Sequence, residues 1–496
     1  MKQRERQANI PVIGSKVDIV LIALQLFLIA RIGFRAVSRV LGVLGKHFGL
    51  TKAPCPQTII NWITRLSITR IQHMTHLVGS RVVDDPFSNG FLWIIDTSIA
   101  LGAGKILAEL ALNVCHHHLG NGAPSLQSVH CIAVSVAISW TGDAVADFLQ
   151  KVIAVSGRPV GFIKDGGCDL TKAVRVLGEC GFPSHSIDDI SHVIANLLKH
   201  EYGNHPLFAV FISACGKASK KLKQTILACL APPKVSIKAR FMNLHRLVMW
   251  ADRLLKHSPV GRAANGSLIA KLRASLDQLP ACKTFISRFL RDAAPLLECQ
   301  KILKAKGLSN KTSKECEALI EAIPQSSSVR IGFKKWSKKH LKIAETLGAA
   351  NTGLPISSDL IESLFGVAKR HGTGETKDAN RIAARLPALC GQVTEEDARR
   401  VLEVSVSQQK EVMGSLSSLT RQRRQVLPNP GCLDNMILSD TNQNLELIPM
   451  SKNRSQSPII TNISEYYTKT NDPAISLENK GMDHARSRPL GLTMTG

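Results

Sequence analysis

The sequence is short of acid. Its 496 residues carry 38 Asp and Glu against 63 Lys and Arg, which leaves a net charge of +25 and a pI of about 9.8. Such a deficit points to a polyanionic partner, with nucleic acid first and an anionic membrane surface second. Twelve cysteines are present, yet there is no Cys-x-x-Cys pair and no repeated zinc-finger spacing, so a structural zinc site has no support. Cys168, Cys180 and Cys215 lie in or beside apolar stretches and are expected as buried free thiols in a reducing cytoplasm. Long apolar runs are missing too. Val17 to Ala30 is interrupted by Asp18 and Gln25 and is shorter than the ~20 residues a bilayer requires. Arg31 follows where a signal peptide would place its small-residue cleavage site, so the run reads as a core helix and no membrane association is expected. Neither a G-x-x-x-x-G-K-[ST] loop nor a Ser-His-Asp order occurs, so ATP use is not expected. There is no internal repeat.

What remains is globular composition, 44% apolar and 20% charged, in a chain long enough for two or three domains. Residues 1–16 form a polar lead. Residues 17–84 read as helices, with Phe34, Val37, Val40, Leu41, Leu44 and Phe48 at helical spacing. Gly49 and the Thr51-to-Pro56 stretch then break the chain, and a second helix is expected from Gln57 to about Arg70. Ile59, Ile60, Ile63 and Leu66 would form its buried side, and Gln57, Thr58, Asn61 and Arg65 its polar side. This is the helix-turn-helix pattern, and those polar side chains suit base edges and phosphates. Any solvated helix also has a polar face, so the pattern alone leaves both readings open.

After Asp84-Asp85-Pro86 and Ser88-Asn89-Gly90 the periodicity shortens to that of strands. Strands are expected at Phe91–Ile95, Ala108–Val114, Val129–Ser139, Val160–Ile163 and His185–Asp188, with helices at Asp143–Val155, Leu170–Leu177 and Ile190–Lys199. The order implies an α/β layer on a mixed five-stranded sheet over residues 90–200. Residues 201–355 read as helical and basic. Ten Lys and Arg fall within 217–256, Lys234, Lys238 and Arg240 among them, against the single acid Asp252. A second basic run, Arg330, Lys334, Lys335, Lys338, Lys339 and Lys342, surrounds Trp336. One run is usually a solvated face; two in one region favour contacts to backbone phosphate. Residues 356–412 return to a helix beginning near Ser358 or Asp359, with Ile361, Leu364, Phe365 and Ala368 on its apolar face and Glu362, Lys369 and Arg370 on or near the other. A further helix is expected over Thr394–Gln409. Residues 425–496, rich in Asn, Ser and Pro, are expected to be disordered.

Three acids stand where chemistry would need them. Asp96 ends the first strand, Asp165 ends the fourth and Glu362 opens a late helix, 197 residues after Asp165. Residues just past strand ends of an α/β sheet are well placed for a ligand. Mg2+ is held through a few carboxylates plus substrate phosphate, and two such ions stabilise both oxygens of an in-line phosphoryl displacement. Gly166 and Gly167 would let a DNA backbone approach Asp165. Yet an Asp at a strand end usually caps the next turn, a Glu early in a helix often only complements its dipole, and Asp169, Asp188 and Asp189 compete nearby. His116-His117-His118 has no evident Cys or carboxylate partner and is not expected to hold metal.

Taken together, Trp93-Ile94-Ile95-Asp96-Thr97-Ser98, Phe162-Ile163-Lys164-Asp165-Gly166-Gly167-Cys168-Asp169-Leu170 and Ser358-Asp359-Leu360-Ile361-Glu362-Ser363-Leu364-Phe365-Gly366 resemble the three acidic motifs of the DDE transposases of bacterial insertion sequences. The stretch from Asp188 and Asp189 through His192 to Asn196 also resembles a segment many of these enzymes carry, and Pro232 to Leu244 is similar to one group of them. The resemblance spans roughly residues 30–410. It implies a ribonuclease-H-like catalytic domain interrupted by a large helical insertion, and Asp96, Asp165 and Glu362 as catalytic ligands of Mg2+ or Mn2+, two ions in all. It further implies DNA ends and target as partners, with contacts from Gln57, Thr58, Asn61, Arg65, Lys234, Lys238, Arg240, Lys369 and Arg370, and Asp189, His192 and Asn196 in support. Transposition joins two DNA ends, which suits a homodimer, and a prokaryotic, nucleoid-associated cytoplasmic setting follows. The alternatives are a DNA-binding regulator or inactive transposase-derived protein, and a nuclease of the same fold.

Overall fold

The computed structural model describes residues 15–50, 52–79, 90–97, 104–113, 124–137, 139–234, 240–256, 262–371 and 379–414. The expected tail over 425–496, His116 to His118 and Lys238 lie outside them.

Three helices come first: α1 (Lys16–Leu28), α2 (Phe34–Leu44) and α3 (Pro56–Gly79). α1 opens at Lys16, where Ser15 and Asp18 form a reciprocal capping box, and residues 1–14 of the expected polar lead lie outside the described residues. Val20, Leu24, Phe27, Val37, Leu41, Ile59, Ile63 and Leu66 are buried together, as their spacing predicts. Their core is completed from far along the chain, by Ala398 and Val401 of α15 (Glu395–Glu403). Arg70 reinforces that junction, donating to the Ala388 and Gln392 carbonyls and pairing with Asp397 at 3.0 Å.

The centre is an α/β layer on a mixed sheet. Its strands are β1 (Phe91–Thr97), β2 (Lys105–Asn113), β3 (His130–Ala137), β4 (Gly161–Lys164) and β5 (His185–Asp188), in the spatial order β3-β2-β1-β4-β5. β1 runs antiparallel to β2 and parallel to β4, and β4 is parallel to β5. Side chains alternate across a strand, and the two faces are covered differently. Trp93, Ile95, Leu107 and Phe162 pack on α4 (Gly142–Ser156) and α5 (Cys168–Glu179). Leu92, Ile94, Leu110, Ile163 and Ile187 pack into a larger core shared with α6 (Ile190–Tyr202) and the helices that follow. Cys215 is buried as expected, but Cys168 and Cys180 are exposed, because they sit at the first position and the C-cap of α5.

The region expected to be helical is so. It comprises α7 (Pro206–Lys223), α8 (Arg240–Lys256), α9 (Leu268–Leu276), α10 (Lys283–Lys306), α11 (Asn310–Ile320) and α12 (Ser328–Thr346). One isolated bridge, Leu308 to Leu354, closes it onto the segment before α13 (Asp359–His371). The helices α14 (Ala379–Ala383), α15 and α16 (Val406–Gly414) complete the described chain. No described helix is long and apolar enough to cross a membrane.

One buried residue conflicts with its surroundings. Glu109, in β2 opposite Ile95, is fully buried and neither carboxyl oxygen has a hydrogen-bond partner among the described residues. Burial pushes its pKa well above the usual carboxylate value. A raised acid adds stability below its unfolded value near 4.5 and loses it as the pH rises toward the folded value. Glu109→Met should therefore stabilise the protein by about 1–3 kcal/mol near neutral pH in urea melts, with little gain near pH 4. A loss of stability at both pH values would contradict this account of the site.

Candidate active site

The pairing register decides which acids meet. Ile95 pairs with Lys164 across β1 and β4, so the next residue of each chain, Asp96 and Asp165, stands side by side at the same sheet end. By alternation both follow Ile94 and Ile163 onto the face that packs on α6, while Lys164 follows Phe162 to the opposite face. Asp96 accepts from the Thr97 amide at 2.6 Å, and Asp165 from the Gly167 amide at 2.9 Å, each through Oδ1. The second oxygen of each has no hydrogen-bond partner among the described residues.

Glu362, one turn into α13, completes the group. Burial raises the pKa of Asp96 to about 7, and the neighbouring charges of Asp165 and then Glu362 add to the rise. Three acids that lie 69 to 266 residues apart in sequence thus interact at one point. Glu362 is itself engaged: His192 Nε2 lies 3.5 Å from its Oε1. That contact holds the Glu362 pKa below its usual value, with further help from Lys304, and raises the pKa of His192.

The rival acids are occupied elsewhere. Asp188 Oδ1 binds the buried Lys164 ammonium at 2.9 Å and its Oδ2 binds Lys339 at 3.1 Å. Those cations hold its pKa down against burial. Its amide donates to His340 Nε2 at 3.0 Å, while burial lowers the His340 pKa to about 4 and keeps that ring an acceptor. Asp189 is buried and uses both oxygens on backbone. Oδ1 caps α6 at the His192 amide, 2.9 Å, and Oδ2 accepts from the Ser358 amide, 2.7 Å. The Ile190 amide also donates to the Ile356 carbonyl at 3.0 Å. Asp189 is therefore a bracket that fixes the start of α6, with His192, against the start of α13, with Glu362. Asp169 is exposed in the first turn of α5. Ser358 stands at the cap position before α13, as expected, and its carbonyl accepts from the Glu362 amide; the Asp359 amide donates to the Ser357 hydroxyl.

Gly167 leaves room for the Asp165 carboxylate. A Cβ there would lie 2.8 Å from Asp165 Oδ1, whereas a Cβ at Gly166 would meet the amide of Asn196 at 3.2 Å. Asn196 thus lies against the turn carrying Asp165. The backbone at Gly167 has φ −63°, which any residue adopts, so Gly167→Ala should fold but displace the Asp165 carboxylate. A displacement of about 1 Å costs on the order of 100-fold in rate where geometry is critical. A strand-cleavage assay checks this, and an unchanged rate with unchanged melting would remove Gly167 from the site.

The expected DNA contacts are distributed unevenly. Gln57 is exposed and donates to Asn61 at 3.0 Å, and Thr58 shares a 3.3 Å contact with the Cys55 thiol. Asn61 and Arg65 are not free on the helix surface, since Gln409 of α16 donates to Asn61 at 3.0 Å and accepts from Arg65 at 2.7 Å. Lys234 is exposed, Arg240 opens α8, and Lys369 and Arg370 end α13, with Arg370 folded onto the Gly366 carbonyl. Neither these residues nor the α3 face adjoin the acid group through any described contact.

The donor set has the chemistry of a hard divalent cation site, oxygen ligands whose mutual repulsion a cation would relieve. Among the described residues, however, no three His, Cys, Asp or Glu side chains stand close enough to hold a metal ion as placed. Glu362 faces His192 instead. Lys304 was not among the expected site residues, Lys339 stood there only as one of the basic run around Trp336, and the burial of Lys164 was not foreseen; a lysine in a four-residue buried strand was the available signal for the last. No protein-family model and no curated protein matches the chain.

Proposed function

We propose that the chain is a DNA phosphoryl-transfer enzyme of the DDE transposase type, acting through Asp96, Asp165 and Glu362 with Mg2+ or Mn2+. The observation that carries this reading is the β1–β4 register that sets Asp96 beside Asp165 at one sheet end, where burial and the charges of Asp165 and Glu362 raise the Asp96 pKa to about 7. The mixed five-stranded sheet flanked by helices, with a helical insertion before α13, supports a ribonuclease-H-like arrangement. The net charge of +25 supports DNA as the partner.

Asp96 and Asp165 are the residues that would hold the metal from the sheet, each with one oxygen that has no hydrogen-bond partner among the described residues, and Glu362 would join them from α13. Two divalent cations at such a site supply stabilisation to the attacking and leaving oxygens of an in-line displacement. The chain's own work is positioning. Asp189 fixes the approach of α13 to α6, His192 orients Glu362, and the Gly166-Gly167 turn leaves room beside Asp165 for a strand backbone. No covalent protein–DNA intermediate belongs to this scheme.

The test is a strand-cleavage and strand-joining assay on the DNA flanking the gene, with Mg2+ or Mn2+ and with chelator. Cleavage plus joining, both lost in chelator, is the expected result. Cleavage without joining would replace the transposase by a nuclease using the same acids. Binding without cleavage would replace it by a DNA-binding regulator.

A further inference from the structure

α12 has a one-sided surface. Phe333, Trp336, Ser337, His340 and Ala344 are buried, and Lys334, Lys335, Lys338, Lys339 and Lys342 are exposed. Arg330 belongs to the buried side, where it donates to the Ile323 carbonyl at 2.7 Å. Glu345, near the C-terminal end, is the one acid in the helix. A helix rises 1.5 Å per residue, so Lys334, Lys338 and Lys342 follow one another at about 6 Å along the axis. Like charges at this spacing repel, and a helix tolerates them only while solvent or a bound anion screens them.

Of the five lysines, Lys339 alone has an ion pair among the described residues, and that pair gives the face its direction. Lys339 binds Asp188 at 3.1 Å. Asp188 ends β5 and is bound in turn by Lys164, the residue before Asp165. His340, next along the helix, accepts from the Asp188 amide. Two consecutive residues of α12 therefore anchor this lysine face to the sheet end that carries the acids.

We propose that the exposed lysine face of α12 is a track for the phosphate backbone of duplex DNA, running toward the acid group. This rests on the DNA phosphoryl-transfer reading above. Lysine ammonium groups are compact, mobile point charges that hold phosphate without reading sequence. Lys334, Lys335, Lys338 and Lys342 contact the backbone, while Lys339 keeps the helix in register with β5.

Each phosphate neutralised releases condensed counterion, so the slope of log Kobs against log salt changes by about 0.9 per contact on duplex DNA. The full chain carrying Lys334→Gln, Lys338→Gln and Lys342→Gln is titrated with a short nonspecific DNA duplex over a salt series. The expected slope is shallower than that of the wild type by about 2.7. The corresponding triple Arg variant keeps the wild-type slope. A control losing three charges on the other face of the sheet, Lys151→Gln, Arg158→Gln and Arg175→Gln, changes the slope by less than about 1. Because all six positions are exposed, thermal melting should match the wild type in each case. A Gln triple with the wild-type slope, or a control that flattens it equally, overturns the track and leaves the proposed enzyme standing. A wild type without salt-dependent DNA binding overturns both.

Discussion

Asp165→Asn should abolish metal-dependent strand cleavage while leaving DNA affinity within a few-fold of the wild type. The amide keeps the shape of the carboxylate and the acceptor for the Gly167 amide, so the turn survives. What it removes is a negative oxygen at the point where Asp96 and Glu362 also gather. Metal stabilisation of a phosphoryl transition state is worth several kcal/mol, and each 1.36 kcal/mol is tenfold in rate, so a loss of at least about 1,000-fold is expected. Asp96→Asn and Glu362→Gln should lose as much, and pairs of these changes should cost little more than one, because the three act as a unit. Asp188→Asn separates this account from its rival. Its carboxylate serves Lys164 and Lys339, so the substitution should lower stability while cleavage, measured at a temperature where the variant is folded, persists. Cleavage by Asp165→Asn at the wild-type rate would transfer the second acid to another residue.

The second large effect is on stability. The folded pKa of Asp96, about 7, lies above the unfolded value near 3.8. A carboxyl raised in this way contributes stability that is intact below pH 4 and is lost progressively as the pH climbs through 7. In chelator, the wild type should lose on the order of a few kcal/mol between those limits through this residue. Asp96→Asn should be insensitive to that part of the titration and more stable than the wild type at pH 8. Saturating Mg2+ should restore the wild type, by about 2.7 kcal/mol at a hundredfold excess over Kd, and leave Asp96→Asn nearly unmoved. Denaturant melts at two pH values, with and without Mg2+, contain all four comparisons. A wild type whose stability is flat from pH 4 to 8 in chelator would mean that Asp96 is ionised without cost, and the reading of the site would lose its main support.

The layout of the centre was legible because strands and helices carry different periods. Asp96 and Asp165 stood at the ends of short apolar runs, and the register between those runs brings them together. Boundaries were less legible where both faces of a strand are buried. β2 begins at Lys105, three residues before the expected Ala108, because a continuous apolar run has no alternation to mark its start. α3 continues to Gly79, past the expected end near Arg70, since no glycine or proline interrupts it there. Contacts between distant residues left no local trace. The polar side of α3 looked like a surface for DNA, yet Gln409 occupies Asn61 and Arg65 from 344 to 348 residues away. Asp188 and Asp189 are adjacent in sequence and opposite in role, because alternation sends one toward Lys164 and the other toward Ser358.

The bracket at Asp189 has a bearing on how the protein is made. Its two backbone partners, at His192 and Ser358, are 3 and 169 residues away. A ribosome that has released the sheet and α6 has produced two of the acids, but Asp189 then holds only the near partner. The far one arrives after six more helices have been synthesised and packed. Long-range closure of that kind comes late in folding. Truncated or half-made chains therefore expose a basic surface without the finished acid group, and under the proposed function cleavage is expected only when nearly the whole described chain is in place.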